Sequence, residues 1–274
     1  MSATDERRLV VNFSEQYLDN PLILLKRKEG FSSIETLSFG ERLKVSIERN
    51  LLLESRWKMI LEGLRVSLII TFLAFILATV LGFLVCGLKM SKYKILRVIG
   101  SAYITVLRGT PIVVLLMITF YVIFAGTNLS SIIIAVIAFG TNGAAFIGEI
   151  IRSAISTVDK GQIEAARSMG FSKVGTFFTV IFPQAFRVAF PVYKSEFVSL
   201  FKMTSVVGYI AIVDLTKAGD IIRSRTYDAF FPLIMVALIY LIMASLIILL
   251  FDFINRLTDK RYQANKRKAK EGIS

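Results

Sequence analysis

The sequence predicts an all-α membrane protein with five transmembrane helices, and three observations lead to that fold class. Hydrophobic residues make up 55% of the 274 residues, a share typical of membrane proteins. Two runs of 23 residues carry no charged side chain, Val66 to Leu88 and Ala229 to Phe251. At 1.5 Å per residue, a helix of either length exceeds the roughly 30 Å hydrocarbon core of a bilayer. The basic residues cluster beside the apolar runs, which indicates membrane topology.

The first uncharged run predicts a transmembrane span at 66–88. The residues ahead of it, 31–60, are interpreted as an amphipathic linker helix. Trp57, near the end of this linker, is suited to the membrane interface, where tryptophan is enriched. The membrane domain is therefore expected to occupy residues 61–255.

The long stretch 112–148 carries no charged residue, and it exceeds the length that one span requires. A turn signal inside it, Gly126-Thr-Asn-Leu-Ser130, divides the stretch into two parts. We therefore predict a second span at 109–125 and a third at 131–151.

Two further spans are predicted in the C-terminal half, at 196–213 and at 229–251. The loop 152–194 precedes the first of them and carries six Lys/Arg against two acidic residues. The polar, charge-balanced stretch 214–228 separates the two spans. A basic segment, 256–274, follows the last span and is interpreted as a cytoplasmic tail.

The positive-inside rule predicts the orientation of these spans. The basic loops 89–97 and 152–194 are expected in the cytoplasm together with the tail. The turns 126–130 and 214–228 are expected outside. Five spans then place the N-terminus outside and the C-terminus in the cytoplasm.

Composition excludes several kinds of site. The sequence has no histidine and a single cysteine, Cys86, which lies inside an apolar run, so we expect no metal centre and no intrachain disulfide. No GxxxxGK[ST] phosphate loop occurs, so ATP hydrolysis would have to belong to a partner. The net charge is +13. Because the basic residues cluster beside the spans, membrane topology explains this charge better than nucleic-acid binding does. We expect no cofactor and no catalytic residue.

A polar stretch from Asp159 to Gly170 interrupts the apolar pattern and predicts a helix of about three turns, too short to cross a bilayer. Asp159 with Gln162 predicts an N-cap and a capping box. Gly170 fits the left-handed residue that ends such a helix. Ala165 and Ala166 are small and let another surface approach closely. The helix is expected to dock against something outside the membrane.

The letters of this stretch resemble the EAA loop of bacterial ABC importer permeases, with Phe182 where leucine is usual. The matching letters are Glu164-Ala165-Ala166, then Gly170, then Ile181-Phe182-Pro183. The resemblance implies that the helix at 160–169 is a coupling helix, which seats in a cleft of a cytoplasmic ATPase. The coupling residues that it implies are Glu164, Ala165, Ala166 and Gly170.

The resemblance extends over residues 57–255 and is closest to the polar amino acid uptake group, the histidine, glutamine, glutamate, arginine and cystine permeases. Met203 departs from it, since this group usually has aspartate there. The other motifs that carry the resemblance are Leu61-Glu-Gly-Leu64, Arg108-Gly-Thr-Pro111, Gly143-Ala-Ala-Phe-Ile-Gly-Glu149, Pro183-Gln-Ala-Phe-Arg187, Glu196-Phe-Val-Ser-Leu200 and Lys202-Met-Thr-Ser205.

What the resemblance implies is a type I ABC importer permease in the bacterial inner membrane. The implied partners are a cytoplasmic ATPase, a second permease subunit that is identical or different, and an extracytoplasmic binding protein. Membrane lipid surrounds such a protein, and an amino acid is its substrate. The subunit itself is not an enzyme.

The segment 1–30 resembles an internal piece of a periplasmic amino-acid-binding protein, in the letters Met1-Ser-Ala-Thr-Asp-Glu-Arg-Arg8 and Phe13-Ser-Glu-Gln-Tyr17. About 30 residues are too few for a binding lobe of their own. The segment is therefore interpreted as a remnant of such a domain or the end of a longer fusion. A disordered or locally helical tail is the alternative.

Five residues are candidates for the pathway or its gate: Arg108, Gly109, Pro111, Glu149 and Lys202. Charges near the membrane are costly and usually functional or paired. Arg108 and Glu149 are thus predicted to form a gate or a latch between helices, or else to snorkel at the cytoplasmic edge. Gly109 and Pro111 predict either a broken helix that lines the pathway or an ordinary helix start.

Two other classes of protein are alternatives. An ion-coupled secondary carrier would place acidic or basic residues at mid-membrane, and the spans 66–88 and 229–251 contain none. A membrane enzyme would need paired catalytic groups in its spans, and no such pair stands out.

Overall fold

The computed structural model describes residues 38–258. The chain divides into two compact units, 1–44 and 45–274. In the first, the backbone N–H and the hydroxyl of Ser38 both donate to Oε2 of Glu41, at 3.0 and 2.8 Å, which caps the start of a helix. The interpretation of 1–30 as a binding-protein remnant, and most of the tail at 256–274, fall outside the described residues.

The described residues form α-helices joined by short π- and 3₁₀-helical turns, and they contain no strand. We number the α-helices in chain order: α1 Phe39–Ile47, α2 Trp57–Lys89, α3 Lys94–Gly109, α4 Ile112–Ile118, α5 Ser131–Ser156, α6 Lys160–Ser168, α7 Lys173–Thr176, α8 Phe182–Met203, α9 Leu215–Thr226 and α10 Phe230–Thr258. The π-helical turns are Glu48–Leu52, Thr119–Ile123 and Phe177–Ile181, and the 3₁₀ turns are Leu53–Ser55 and Thr204–Ile210.

Membrane spans account for most of the described chain. Four helical segments are long and apolar enough to cross a membrane, and a fifth crossing results if the bent pair formed by α3 and α4 counts as one span. The four segments are α2, α5, the run from α7 through α8, and α10. The prediction of an all-α membrane protein with five spans is confirmed in this form.

The second span is broken. Lys94–Gly109 and Ile112–Ile123 meet at an angle of 106°, because Thr110 is extended and Pro111 cannot continue a helix from the preceding turn. The predicted span at 109–125 therefore begins at the last residue of α3. The structure adds a 16-residue helix ahead of it, which takes in the end of the basic loop predicted at 89–97 and the short apolar run from Val98 to Leu107.

The fourth apolar segment also differs from its predicted position. The sequence predicted a span at 196–213 after a loop at 152–194, yet α8 already begins at Phe182 and ends at Met203. The basic residue Lys194 suggested a loop, but its ammonium lies 2.6 Å from a carboxylate oxygen of Asp252 on α10. A paired charge is less costly inside a helix bundle than a lone one.

The centre of the fold is the pair of helices α2 and α5, which approach closely through small residues. A β-carbon built on Gly82 would lie 2.8 Å from Cγ2 of Ile147, and one on Gly143 would lie 2.9 Å from Cβ of Ala78. Such contacts let two helix backbones approach in a membrane, where packing rather than hydrophobicity drives association. The matched motif from Gly143 to Glu149 thus forms this contact.

The stretch 214–228, predicted as a polar turn, contains the helix α9. Asp214 is buried, and its carboxylate caps α9 by accepting from the backbone N–H groups of Thr216 and Lys217, both at 3.0 Å. On the exposed side of α9, Arg223 and then Lys217 lower the pKa of Asp220 by hydrogen bonding to its carboxylate. Leu215 N–H donates to Oγ of Ser67 at 3.3 Å, which attaches α9 to α2.

The linker predicted at 31–60 is not one continuous helix over the residues described. It contains α1, a π-helical turn and a 3₁₀ turn, and α2 already begins at Trp57. Glu54 and Ser55 have φ of 56° and 53°, so the backbone there is left-handed and interrupts the helix.

Candidate functional site

The helix α6 begins at the residue predicted for its cap. Oδ1 of Asp159 accepts from the backbone N–H of Gln162 at 3.1 Å. The second half of the predicted capping box does not form, because Oε1 of Gln162 accepts instead from the side-chain amide of Gln184 at 2.7 Å. This bond ties α6 to the start of α8.

The C-terminal end of α6 confirms the role predicted for Gly170. Its φ is +89°, the left-handed conformation that glycine adopts without a steric penalty. Its N–H donates to the carbonyl of Arg167 at 3.1 Å, and Phe171 N–H donates to the carbonyl of Ala166 at 3.2 Å. This pair of bonds is a Schellman motif, which turns the chain sharply away from the helix.

The two faces of α6 have different surroundings. Ile163 packs against buried residues at the end of α5 and the start of α8, among them Ala154 and Ala185. Ala166 is only 2% exposed, so its side chain is covered by other residues of the same chain. The role of Ala166 in coupling stays a prediction, and its burial assigns it to the inner side of α6.

The outer face of α6 is open to a partner. Glu164 and Ala165, the other two residues of the matched motif, are exposed. Large apolar side chains are exposed next to them along the chain, and these are Met169, Phe171, Val174 and Phe178. An exposed apolar patch beside a charged residue is typical of a protein interaction surface.

A second feature is a cavity of about 310 Å³ at the point where α3 ends. We call it the charged cavity. Its walls come from α3, α5 and α8, and its lining residues are Arg108, Phe146, Glu149, Ile150, Ser153, Ala154, Val188, Ala189, Val192 and Glu196. Its size lies near the lower end of the range found for small-molecule sites.

Arg108 and Glu196 contribute opposite charges to this cavity. The guanidinium carbon of Arg108 lies 5.0 Å from the ring centroid of Phe146, a cation–π contact. Neither Arg108 nor Glu196 forms an ion pair within 4.0 Å among residues 38–258. The charge of Arg108 nevertheless acts on the Glu196 carboxylate across the cavity.

Glu149 also lines the charged cavity, but its carboxylate is already paired. Oε2 accepts from the Lys89 ammonium at 2.7 Å, and Oε1 accepts from the guanidinium of Arg152. The bond to Lys89 connects the end of α2 to α5. Of the roles considered for Glu149, the geometry fits a latch between helices.

The other candidates lie in different places. Gly109 is the last residue of α3, and Pro111 directly precedes α4, so both lie at the break of the second span. The structure therefore contains a broken helix at this motif. Lys202 is exposed near the end of α8 and does not line the charged cavity; the structure does not bring it together with Arg108.

Two residues at this site were not among the predicted candidates. Glu196 belongs to a matched motif but not to the predicted candidates, although a carboxylate within an apolar helix is itself a signal of function. Asn142 lies on α5, 5% exposed, and its side-chain amide donates to the carbonyl of Leu107 at 2.9 Å. Asn142 is a polar residue in the uncharged stretch 112–148, and this too could have marked it as a candidate.

Among residues 38–258, no cluster of three or more acidic or cysteine side chains is arranged to hold a metal ion. Cys86, the single cysteine of the sequence, is buried and not part of a disulfide. The described site consists of apolar helices, a charged cavity at a broken span and a short helix with an exposed outer face. Together these features define a multi-pass membrane protein with a cavity lined by charged side chains.

Comparison with known proteins identifies the family. A model of the binding-protein-dependent transport system inner membrane component matches residues 77–264. The chain belongs to this family.

Curated relatives cover most of the chain. The L-cystine transport system permease protein TcyB of Bacillus subtilis is 36% identical over 220 residues, 80% of this chain and 94% of its own length. The putative glutamine transport system permease protein GlnP of Rickettsia typhi is 33% identical over 208 residues, 75% of this chain and 94% of its own.

Solved structures agree with this assignment. One chain of an amino acid ABC transporter, crystallised with histidines, superposes with a TM-score of 0.68 at 34% identity, covering 81% of this chain and 99% of that one. A chain of the MetNI methionine ABC transporter has a TM-score of 0.64 at 23% identity, covering 74% and 97%, and shows the shared fold.

The chain is thus a permease subunit of an amino-acid ABC importer, a multi-pass protein of the bacterial inner membrane. It is not an enzyme, because the ATPase of such a transporter is a separate subunit. The alternative of an ion-coupled secondary carrier finds no support among these relatives.

Proposed function

We propose that this permease passes an amino acid through the charged cavity and receives the energy of ATP hydrolysis through the outer face of α6. The observation that carries the first part is that Arg108 and Glu196 place opposite charges on two helices around one cavity, and neither forms an ion pair within 4.0 Å among the described residues. An α-amino acid carries a carboxylate and an ammonium group on adjacent atoms. Arg108 would bind the carboxylate, and Glu196 would bind the ammonium.

This arrangement recognises what all α-amino acids share rather than one side chain. The curated relatives are named for different amino acids, glutamine and cystine. A cavity that binds the α-carboxylate and the α-ammonium group would accept many amino acids. This fits a permease whose binding protein selects the substrate. We therefore assign the substrate class as α-amino acids.

The partners follow from the same proposal. An ATPase binds at Glu164 and Ala165, where the exposed face of α6 projects from the bundle. A second permease subunit completes the pathway, and a binding protein delivers the amino acid at the opposite end. Closure of the ATPase dimer moves α6, and α6 moves α5 and α8 because Ile163 packs against Ala154 and Ala185 of these two helices.

Uptake of labelled amino acid into liposomes that contain the whole transporter tests the cavity. Each of Arg108→Gln and Glu196→Gln removes one charge-assisted bond, and we expect uptake to fall about tenfold or more. Arg97→Gln is the matched control, because Arg97 lies on the same helix but does not line the charged cavity. Wild-type uptake by both cavity variants would exclude this site from the pathway.

A further inference from the structure

The break in the second span leaves one backbone carbonyl without its ordinary helical partner. In a continuous helix, the carbonyl of Leu107 would accept from the N–H of residue 111. That residue is Pro111, which has no N–H. Inside a membrane, an unpaired backbone carbonyl is costly, since no water is there to bond it.

Two side chains provide the missing donors. The side-chain amide of Asn142 donates to the carbonyl of Leu107 at 2.9 Å. One residue earlier, the carbonyl of Val106 accepts from the hydroxyl of Thr110 at 2.7 Å. The broken end of α3 is therefore held by a local hydroxyl and by a side chain from another helix.

Asn142 and Phe146 lie one turn apart on α5, and they hold neighbouring residues of α3. Asn142 bonds the carbonyl of Leu107, and the ring of Phe146 lies under the guanidinium of Arg108. Residues four apart share a helix face. This face of α5 thus determines both where α3 ends and where the Arg108 side chain lies.

The support for Asn142 is rigid. The next residue, Gly143, is in close contact with Ala78 of α2. The hydroxyl of Tyr103 on α3 donates to the carbonyl of Thr141 at 2.7 Å, a second bond between α3 and the same turn of α5. A rotation of α3 about its end would break the bond at Leu107.

We propose that Asn142 is a positioning residue of the transport pathway: by donating to the carbonyl that Pro111 leaves unpaired, it fixes the break between α3 and α4 and holds Arg108 at the charged cavity. This inference rests on the proposed function of that cavity. Asn142 itself does not touch the substrate.

If Asn142 only stabilised the fold, the expected results would differ from those of a positioning residue. The substitution Pro111→Ala distinguishes these two roles. Alanine at 111 restores a backbone N–H that reaches the carbonyl of Leu107 when the helix straightens. In an Asn142→Leu background, Pro111→Ala would therefore repair the unpaired carbonyl while removing the bend. Stability would return, but Arg108 would no longer be held at the cavity.

The experiment uses the whole transporter with its binding protein and ATPase in liposomes, and thermal unfolding of the same preparations in detergent. For Asn142→Leu we expect a lower midpoint of unfolding and about a tenfold fall in amino acid taken up per ATP hydrolysed. For Asn142→Leu with Pro111→Ala we expect a wild-type midpoint with uptake still reduced. Asn142→Gln, which keeps an amide donor, should retain more uptake than Asn142→Leu.

Three results would overturn the inference. The first is wild-type uptake by Asn142→Leu. The second is recovery of uptake together with the midpoint in the double variant, which would make Asn142 a structural residue only. The third is failure of Pro111→Ala to restore the midpoint, which would show that the Leu107 carbonyl is not what Asn142 serves.

Arg108→Gln, measured alongside, distinguishes this inference from the proposed function. If Arg108→Gln transports normally, the cavity is not on the pathway, and both fail. If Arg108→Gln loses uptake while Asn142→Leu keeps it, the inference alone fails.

Discussion

Asn50 and Asp228 are 178 positions apart in the sequence, yet the side-chain amide of Asn50 donates to a carboxylate oxygen of Asp228 at 2.9 Å. Asn50 is fully buried, and its neighbour Arg49 donates to the carbonyl of Thr226 at the end of α9. The other oxygen of Asp228 accepts from Phe231 N–H at the start of α10. The segment before α2 is therefore attached to the turn between α9 and α10, and both lie at one end of the molecule.

The first prediction concerns this attachment. Asn50→Ala leaves the Asp228 carboxylate without its amide donor, and we expect a loss of about 1–3 kcal/mol in the free energy of unfolding. Thermal or denaturant unfolding in detergent measures it. Glu48→Ala is the control, since Glu48 is an exposed residue of the same turn. Equal effects of the two variants would contradict the stabilising role of the bond.

The second prediction concerns orientation. Lys92, after α2, and Asn128, before α5, are both exposed, and the positive-inside rule places them on opposite sides of the membrane. In a Cys86→Ala background, we expect Lys92→Cys to react with an impermeant thiol reagent only from the cytoplasmic side. Asn128→Cys should react only from outside. Labelling of both variants from the same side would refute the five-span topology.

The third prediction concerns the end of α6. Gly170→Val places a β-branched residue at a φ of +89°, a conformation that such residues avoid. We expect this variant to lose amino acid uptake while the permease level stays near that of the wild type. Gly170→Asn is the matched variant, because asparagine tolerates the left-handed region, and it should retain uptake. Uptake in liposomes, with permease content measured by immunoblot, provides the comparison.

The fourth prediction concerns the exposed face of α6. Glu164→Lys reverses a charge on the surface proposed to bind the ATPase, and we expect weaker co-purification of the ATPase, with a larger effect at low salt because screening is then smaller. Lys160→Glu is the comparison variant, because it lies at the start of the same helix and changes a positive charge to a negative one. If Glu164→Lys co-purifies with the ATPase as well as the wild type does, this face is not the contact.

The fifth prediction concerns the latch between α2 and α5. Glu149→Gln removes the carboxylate that pairs with Lys89 and Arg152, whose side chains are 25% and 32% exposed. We expect a loss of about 1–2 kcal/mol in unfolding free energy, since partly buried charges would lose their partner. The control is Glu62→Gln, whose pair with Arg65 spans 3.6 Å between side chains more than two-thirds exposed; its loss should lie below about 0.5 kcal/mol.

Local signals predicted the ends of α6 well. Asp159 and Gly170 act on the backbone of residues only a few positions away, so the local sequence alone was sufficient to predict where the helix begins and ends. The same sequence could not predict that Gln162 bonds Gln184, because that bond depends on how α6 lies against α8. Nor could it tell which of Ala165 and Ala166 faces the chain itself.

Charge patterns gave a wrong helix boundary where a residue distant in sequence neutralises the charge. Lys194 seemed to mark a loop, but Asp252 pairs with it from α10, and α8 runs through that position. Arg108 and Glu196 line one cavity next to the 106° bend between α3 and α4. The sequence contained both charges and the break, but not their distance.

The close contact of α2 and α5 has a consequence for natural variation. Every amino acid other than glycine carries a β-carbon, and at Gly82 that atom would lie 2.8 Å from Ile147 and 3.1 Å from the backbone nitrogen of Gly148. No missense change in the Gly82 codon can therefore be accommodated without moving one helix away from the other. In a deep mutational scan this position should be among the least tolerant, although it touches neither the solute nor a partner.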